Sequence, residues 1–266
     1  MRMQRSLGIL ALCIALGGMT ACGHGGGRAS APSPEAQPGV ELDHAMQLFR
    51  RGDFRRAQTA FLKLTFELGA SQPEMAQTRY YLAECSFQLG DRIQAAADFR
   101  KVADEFSTTP YAPLALLRAG DANLRLWHRP ELDPTNGEAA LAIYQELTGR
   151  YPESDAAARA RPHVRRLEGQ FADKAYKNGM FYFRRKAYDS AIIYFKDVIA
   201  NYPNAQRAPD ALLRLVESYR AIGYTQEVQE TCDHLRRFYP NALRLDRTCP
   251  SMPPSPSPTT TPGTPS

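Results

Sequence analysis

The sequence lacks an apolar run long enough to cross a membrane. The longest apolar run, from Leu7 to Gly18, is shorter than the roughly 20 residues that a membrane-spanning helix needs. A strong charge of one sign is also missing, since 33 basic residues face 28 acidic ones. Without residues 1–21, which contain Arg2 and Arg5, 31 basic residues remain and the net charge is +3. So small an excess gives no reason to expect binding of nucleic acid.

Motifs for catalysis and metal binding are absent as well. No Gly-x-Ser-x-Gly motif, P-loop or dinucleotide-binding glycine motif is present. The histidines, which have no zinc-binding spacing, are His24, His44, His128, His163 and His234. Cys232 and His234 stand close in sequence, but residues two apart on a helix do not converge on one ion. We therefore expect no enzyme, no catalytic residue, no metal site and no bound cofactor.

Cysteine is scarce, with five in 266 residues. Cys85 lies inside a helical pattern and is expected to be a small core residue. The sequence leaves a bridge between Cys232 and Cys249 open, but it favours free thiols at both positions.

The N-terminal segment has the pattern of a bacterial secretory signal, with two arginines, a short apolar run and small residues before Cys22. Thr20-Ala21-Cys22 resembles the lipobox of bacterial lipoproteins, with Met19 where that family usually has leucine. The resemblance implies cleavage before Cys22 and a covalent lipid on its thiol. Gly23, which is not aspartate, favours the outer membrane in that family. The alternative is an ordinary signal peptide with a chance cysteine.

Composition divides the chain into four parts. After the signal at residues 1–21, glycine, serine and proline predict a flexible tether over residues 22–40. A helical domain is expected over residues 41–245. Residues 246–266, rich in proline, serine and threonine, are expected to be a disordered tail because they cannot bury enough apolar surface to offset their ordering entropy.

The helical domain repeats itself. A small residue, an aromatic residue four positions later and an apolar residue three positions after that recur, and this spacing places all three on one helical face. The copies, the last of which is the weakest, are Ala57-Phe61-Leu64, Ala95-Phe99-Val102, Ala140-Tyr144-Leu147, Ala191-Phe195-Val198 and Val228-Cys232-Leu235. A second helix precedes each copy, and Gly52, Gly90 and Gly223 are expected to close three of these preceding helices in the left-handed conformation. We expect the loop from Arg129 to Gly137 and a helix from about Arg165 to Arg185 to lengthen two repeats.

These patterns resemble the tetratricopeptide repeat, a helix–turn–helix unit. The resemblance implies an all-α solenoid of about five repeats with a concave face. Its phasing assigns a peptide groove to Met46, Phe49, Gln77, Tyr80, Glu84, Leu117 and Asp121, whereas Tyr182, Phe195 and Tyr219 are expected in the core. The basic residues near Pro162 fit either a solvated turn or the rim of a site for an acidic partner; these candidates are Arg159, Arg161, Arg165 and Arg166.

A narrower resemblance rests on four segments. They read RRGDFRRAQTAFLKL, FSTTPYA, RPELDPTNGEAALAIYQELTGRYPES and FYFRRKAYDSAIIYFKDVIANYPNAQRAPDALLRLVESYRAIG. Together with the lipobox, they resemble the BamD family, the lipoproteins of the outer-membrane β-barrel assembly machinery. That family commonly carries an arginine where this chain has Tyr194, which puts that partner contact in doubt. The Pro/Ser/Thr-rich tail is not typical of the family either.

The resemblance implies a non-enzymatic scaffold on the periplasmic face of the outer membrane. Its implied partners are the barrel insertase, other assembly lipoproteins, unfolded barrel precursors and the membrane, which it reaches through its lipid. Two other functions fit an anchored solenoid, because fold alone does not fix function. They are a cell-envelope coordinator of the Tol-Pal type and an accessory lipoprotein for wall or polysaccharide export.

Overall fold

The structure is a computed structural model that describes residues 38–69, 73–128 and 133–250. Over these residues the chain is all α, with no strand, which confirms the predicted fold class. The helices are α1 (Pro38–Arg50), α2 (Phe54–Glu67), α3 (Pro73–Gln88), α4 (Arg92–Glu105), α5 (Tyr111–Leu126), α6 (Thr135–Arg150), α7 (Asp155–Arg184), α8 (Tyr188–Asn201), α9 (Ala208–Ala221), α10 (Thr225–Phe238) and α11 (Leu245–Thr248). Helices α1 to α10 form five consecutive pairs, each of which packs against the next.

The repeated face of the second helices lies in the core. Phe61, Phe99, Tyr144 and Phe195 are fully buried, each between the small and the apolar residue of its own copy. In the weakest copy Cys232 takes the aromatic position and is also buried. Tyr219 is buried and Tyr182 is half-buried against the same core as Phe195. The sequence pattern therefore identified the inner face of every second helix.

Four of the turns within repeats close in the same way. Gly52, Gly90 and Gly223 have φ of 80°, 93° and 81°, the left-handed conformation expected of a glycine after a helix end. In the fourth repeat Lys186 takes this place with φ of 61°. In each turn the next residue donates its backbone N–H back to the preceding helix, as Asp53 N does to Leu48 O at 3.0 Å.

Two glycines allow a first helix to touch the aromatic ring of its partner. A Cβ atom at Gly120 would lie 2.5 Å from Cε1 of Tyr144, and one at Gly179 would lie 2.5 Å from Cε1 of Phe195. Real Cβ atoms essentially never come so close to a ring carbon. The helix pairs α5–α6 and α7–α8 are therefore closer than an alanine at these positions would permit.

Helix α7 differs from the prediction. It begins at Asp155, about ten residues before the expected start, and continues through Pro162 to Arg184. The hydroxyl of Ser154 accepts from Ala157 N at 3.1 Å, which caps the helix start. The predicted start at Arg165 was wrong, because the helix already includes Pro162 and the residues before it. Burial of Ala156, Ala157 and Ala160 favours the helical path despite the proline.

The long connection before α6 is shorter than expected. Helix α6 begins at Thr135, so Gly137 is helical, and a Cβ atom there would lie 2.6 Å from the Trp127 indole. The indole N–H of Trp127 donates to Asp133 O at 2.8 Å and so fixes the ring over this helix start. Residues 129–132 lie outside the described residues.

The C-terminal end also differs from the prediction. Cys232 and Cys249 form a disulfide with their Cα atoms 5.6 Å apart, so the expectation of free thiols was wrong. The two positions meet because α11 turns the chain back over α9, with Leu245 and Cys249 buried in the core of the last repeats. Cys85, in contrast, is a free and fully buried thiol, as expected.

The predicted boundaries differ slightly from the helical region. Helix α1 begins at Pro38, three residues before the expected start, because the first turn of a helix needs no donor from proline. At the other end α11 extends the helices to Thr248, into the segment expected to be a disordered tail. The predicted signal peptide, Cys22 and the tail from residue 251 lie outside the described residues. None of the described helices has both the length and the apolar character that a membrane crossing requires.

Candidate functional site

The residues that phasing assigned to a peptide groove lie at two different depths. Tyr80, Glu84 and Leu117 are 9%, 6% and 2% exposed, so they cannot line an open groove. Their assignment to the groove was wrong because neighbouring first helices pack over them. The half-buried residues are Met46, Phe49, Gln77 and Asp121.

Phe49 belongs to the core between the first two repeats. Its ring packs edge-on against Phe54 and Tyr81, with centroid distances of 5.4 and 5.1 Å. Met46 packs against the same cluster. Gln77 is the member of the predicted set that reaches an open cleft.

Tyr80, Glu84 and Asp121 belong to a polar network that joins α3, α5 and α6. The hydroxyl of Tyr80 donates to Glu84 Oε1 at 3.1 Å, and Arg118 Nη2 donates to Glu84 Oε2 at 2.8 Å. Arg118 Nη1 donates to Asp121 Oδ2 at 3.0 Å, and the Tyr144 hydroxyl donates to Asp121 Oδ1 at 2.8 Å. The guanidinium of Arg118 also lies 4.0 Å from the centroid of the Phe87 ring.

Burial governs the electrostatics of this network. It raises the pKa of Tyr80 and Tyr144 above the usual range, and the neighbouring carboxylates Glu84 and Asp121 raise these pKa values further. Burial lowers the pKa of Arg118, but the hydrogen bonds and charges of the two carboxylates outweigh this effect and raise it overall. The two tyrosines therefore stay neutral and the arginine stays charged. Their polar atoms bond to the two carboxylates and so hold α3, α5 and α6 together.

Open polar surface lies between α7 and α9, the first helices of the last two repeats. An open groove of about 780 Å³ lies between them, and the segment after α10 forms its third side. The groove is lined by Arg165, Arg166, Gly169, Gln170, Asp173, Gln206, Arg207, Pro209, Asp210, Asn241, Ala242 and Leu243. Three arginines and two aspartates make its lining mildly basic.

Ion pairs order the centre of this groove. Asp173 accepts from Arg207 Nε at 2.9 Å and from Lys177 Nζ at 2.6 Å, and Arg207 also pairs with Asp210 at 3.2 Å. Lys177 and Arg207 hold the pKa of Asp173 below its usual value. The neighbouring cavity of about 390 Å³ shares Gln170 and Asp173 and has Trp127 and Phe171 as its apolar wall. Their rings stack with centroids 5.4 Å apart.

The predicted partner-contact residues divide between the groove and the remaining surface. Arg165 and Arg166 line the groove, whereas Arg159 and Arg161 are exposed at the start of α7. Arg161 donates to Pro152 O at 2.5 Å. Tyr194 is half-buried and stacks on Tyr182 with centroids 5.4 Å apart. The structure thus brings two of the five candidates together.

A second opening lies between α3 and α5. This cleft, of about 300 Å³, is lined by Pro73, Glu74, Gln77, Thr109, Pro110 and Tyr111. Two prolines and a tyrosine give it an apolar surface, and Glu74 and Gln77 supply polar atoms at its side. Such a cleft suits an apolar side chain on a peptide.

The chain has little reactive chemistry in its described part. Residues 38–69, 73–128 and 133–250 contain no group of three or more histidine, cysteine, aspartate or glutamate side chains placed to hold a metal ion. Burial raises the pKa of the Cys85 thiol to about 12, which keeps it protonated and unreactive.

Sequence reasoning missed the cavity beside Trp127, although a lone tryptophan before a proline-containing loop could have indicated it.

Comparison with known proteins identifies relatives of this fold. A family described as outer membrane lipoprotein, YfiO, matches residues 37–235. The outer membrane protein assembly factor BamD of Caulobacter vibrioides is 33% identical over 119 residues, which cover 42% of this chain and 39% of that protein. BamD of Vibrio cholerae is 30% identical over 103 residues, 39% of this chain and 43% of that protein. These alignments span only about two fifths of the curated relatives.

The solved structures that match this chain include tetratricopeptide-repeat proteins. The tetratricopeptide domain of P58(IPK) has a TM-score of 0.41 and 15% identity, and the match covers 79% of this chain and 54% of that one. The Thermus thermophilus protein TTC0263 has a TM-score of 0.38 and 20% identity, with coverage of 80% and 97%.

Proposed function

Because the chain belongs to the YfiO family of outer membrane lipoproteins, we propose that it is a non-enzymatic scaffold of the outer-membrane β-barrel assembly machinery. In this role Cys22 carries the lipid that holds the chain on the periplasmic face of the outer membrane. The repeats bind the barrel insertase and other assembly lipoproteins, and they receive unfolded barrel precursors.

The observation that carries this proposal is the extent of the family match. It covers residues 37–235, which run from the start of α1 almost to the end of α10. The relatives named above, both assembly factors, support the same role. A rigid repeat array suits a scaffold, because preformed surfaces lose little conformational entropy when they bind.

We assign the insertase to the groove between α7 and α9. Its polar and charged lining suits a folded partner domain that offers hydrogen bonds and both signs of charge. Arg165 and Arg166 are exposed at its edge and have room to pair with carboxylates of the partner. Gln206 is exposed and offers a position for a crosslinking side chain.

We assign barrel precursors to the cleft between α3 and α5. An unfolded precursor exposes apolar side chains, and Pro73, Pro110 and Tyr111 offer an apolar surface to receive one. Gln77 can bond to the backbone of an extended segment beside that surface.

Site-specific photocrosslinking in native membranes tests both assignments. A photoreactive side chain at Gln206 should capture a large barrel protein with periplasmic domains, and one at Gln77 should capture unfolded barrel precursors. The matched control is Lys196, which is exposed on the second helix α8 and should capture neither. Recovery of wall-binding or secretion proteins at Gln206 and Gln77, with no barrel protein, would overturn the proposal.

A further inference from the structure

The return of the chain over α9 forms a cavity, partly open to solvent, that no part of the proposed scaffold role uses. It has a volume of about 350 Å³. One wall comes from α9, with Arg214, Glu217 and Arg220, and the other from the α11 segment, with Arg244, Arg247 and Thr248. Four arginines and one glutamate therefore line a single, partly open space.

The positive charge of this cavity is only partly neutralised. Arg214 Nη1 pairs with Glu217 Oε2 at 2.6 Å, and Arg220 Nη2 donates to Thr248 O at 2.7 Å. Nε of Arg214 is buried and has no hydrogen-bond partner in the part of the chain that the structure describes. Arg244 and Arg247 are exposed at the mouth. With one carboxylate against four guanidinium groups, the lining has an excess of three positive charges.

The backbone holds this arrangement in place. Arg244 has φ of 69°, in the left-handed region that a residue with a side chain adopts only at a conformational cost. Next to the cavity, the disulfide ties Cys249 to α10, and Arg236 Nη2 donates to Cys249 O at 2.9 Å and to Pro250 O at 3.1 Å. These contacts hold the end of the α11 segment on α10, which in turn packs against α9.

We propose that this cavity binds a phosphate group. Guanidinium forks bind phosphate through paired hydrogen bonds, and a tetrahedral anion can accept such pairs from several sides, as arginines on two walls require. A compact site with arginines on two walls suits a phosphate or a phosphorylated head group better than it suits an extended acidic segment. The phosphate can come from a membrane phospholipid or from solution.

Calorimetric titration of the full chain in a non-ionic detergent tests the site. The probes are inorganic phosphate and dihexanoyl phosphatidic acid, with dihexanoylglycerol as the probe that lacks phosphate. Saturable binding of the phosphate probes, but not of dihexanoylglycerol, is expected. Tighter binding of dihexanoyl phosphatidic acid than of inorganic phosphate identifies a lipid head group as the source, and equal binding identifies free phosphate.

Two variants with the same loss of charge locate the binding. The double variant Arg244→Gln/Arg247→Gln should bind phosphate about tenfold more weakly or worse, because it loses hydrogen bonds to a charged group. The control Arg50→Gln/Arg51→Gln, in the first repeat, should bind like the original chain. Equal binding by the two double variants, or no saturable binding of either phosphate probe, would overturn the proposal. Binding of hexaglutamate in place of both probes would also overturn it and would point to an acidic protein.

A third variant separates the geometry of the site from its charge. Cys232→Ser/Cys249→Ser retains every arginine but releases the α11 wall, so phosphate binding should weaken while circular dichroism still reports the folded helices. Unchanged binding in this variant would contradict the role of the disulfide in building the site.

Discussion

The contact between Gly179 and Phe195 predicts opposite effects of the same substitution at two positions of one helix. In Gly179→Ala the new Cβ would lie 2.5, 2.7 and 3.0 Å from Cε1, Cδ1 and Cζ of a fully buried ring. The ring has no room to turn away, since Tyr176 and Phe183 lie against it with centroids 5.6 and 6.4 Å away. In Gly169→Ala, also on α7, the new atom would meet nothing within 4 Å.

The magnitudes follow from two opposing effects. Replacement of glycine by alanine inside a helix stabilises it by about 1 kcal/mol, and this applies to both variants. Overpacking of a filled core costs about 1–3 kcal/mol, with the upper end expected for overlap with a ring that cannot move. We therefore expect Gly179→Ala to destabilise the fold by about 2 kcal/mol and Gly169→Ala to stabilise it by about 1 kcal/mol, a difference of about 3 kcal/mol.

Urea unfolding followed by far-ultraviolet circular dichroism measures this difference. The two variants share helix, substitution and assay, so any change in the unfolded chain cancels to first order. The double variant Gly179→Ala/Phe195→Leu should recover part of the overlap cost, and a double-mutant cycle measures that coupling. Stabilisation by Gly179→Ala equal to that by Gly169→Ala would refute the close packing of α7 on α8.

Three further predictions address the backbone, the buried tyrosines and the buried thiol. Lys186→Gly should stabilise the fold by about 1 kcal/mol because it relieves the left-handed backbone, whereas Lys196→Gly inside α8 should destabilise it by a similar amount in the same urea assay. Because burial and Asp121 raise the pKa of Tyr144 in the folded state, stability should be fully present below about pH 10, the pKa in the unfolded chain, and fall as the pH rises above it. In thermal melts between pH 9 and 11, the melting temperature should fall less for Tyr144→Phe than for the original chain. An equal fall would contradict the raised pKa of Tyr144 in the folded state. Cys85 should resist iodoacetamide at pH 8 in the folded chain and react after unfolding in urea, and rapid labelling of the folded chain by mass spectrometry would contradict its burial.

What the sequence could reveal was the part of the fold that depends on spacing within one helix. The burial of Phe61, Phe99, Tyr144 and Phe195 follows from a period that a single helix imposes, and the left-handed glycines follow from local backbone geometry. Both are properties of a short stretch of chain.

What the sequence could not reveal depends on which helices meet. Leu117 has a first-helix position like that of Gln77, but a neighbouring helix covers only Leu117. The pairing of Glu84 with Arg118 joins residues of α3 and α5, and no spacing within either helix predicts it. In the same way, the extension of α7 through Pro162 depends on the burial of its first turns against other helices, which a local proline signal does not report.

The disulfide gives the repeat array a direction of unfolding. In a linear array each repeat is stabilised mainly by its neighbours, so the two end repeats have the least support and open first. Here one end is closed covalently, because Cys232 and Cys249 bracket a segment with a sequence separation of 17 residues. A closed loop of about this size removes roughly 3 kcal/mol of chain entropy from the unfolded state. Opening should therefore begin at α1 and α2 and proceed toward α10, so that amide hydrogens exchange in the order of the chain and the last repeats are the final part to lose their structure.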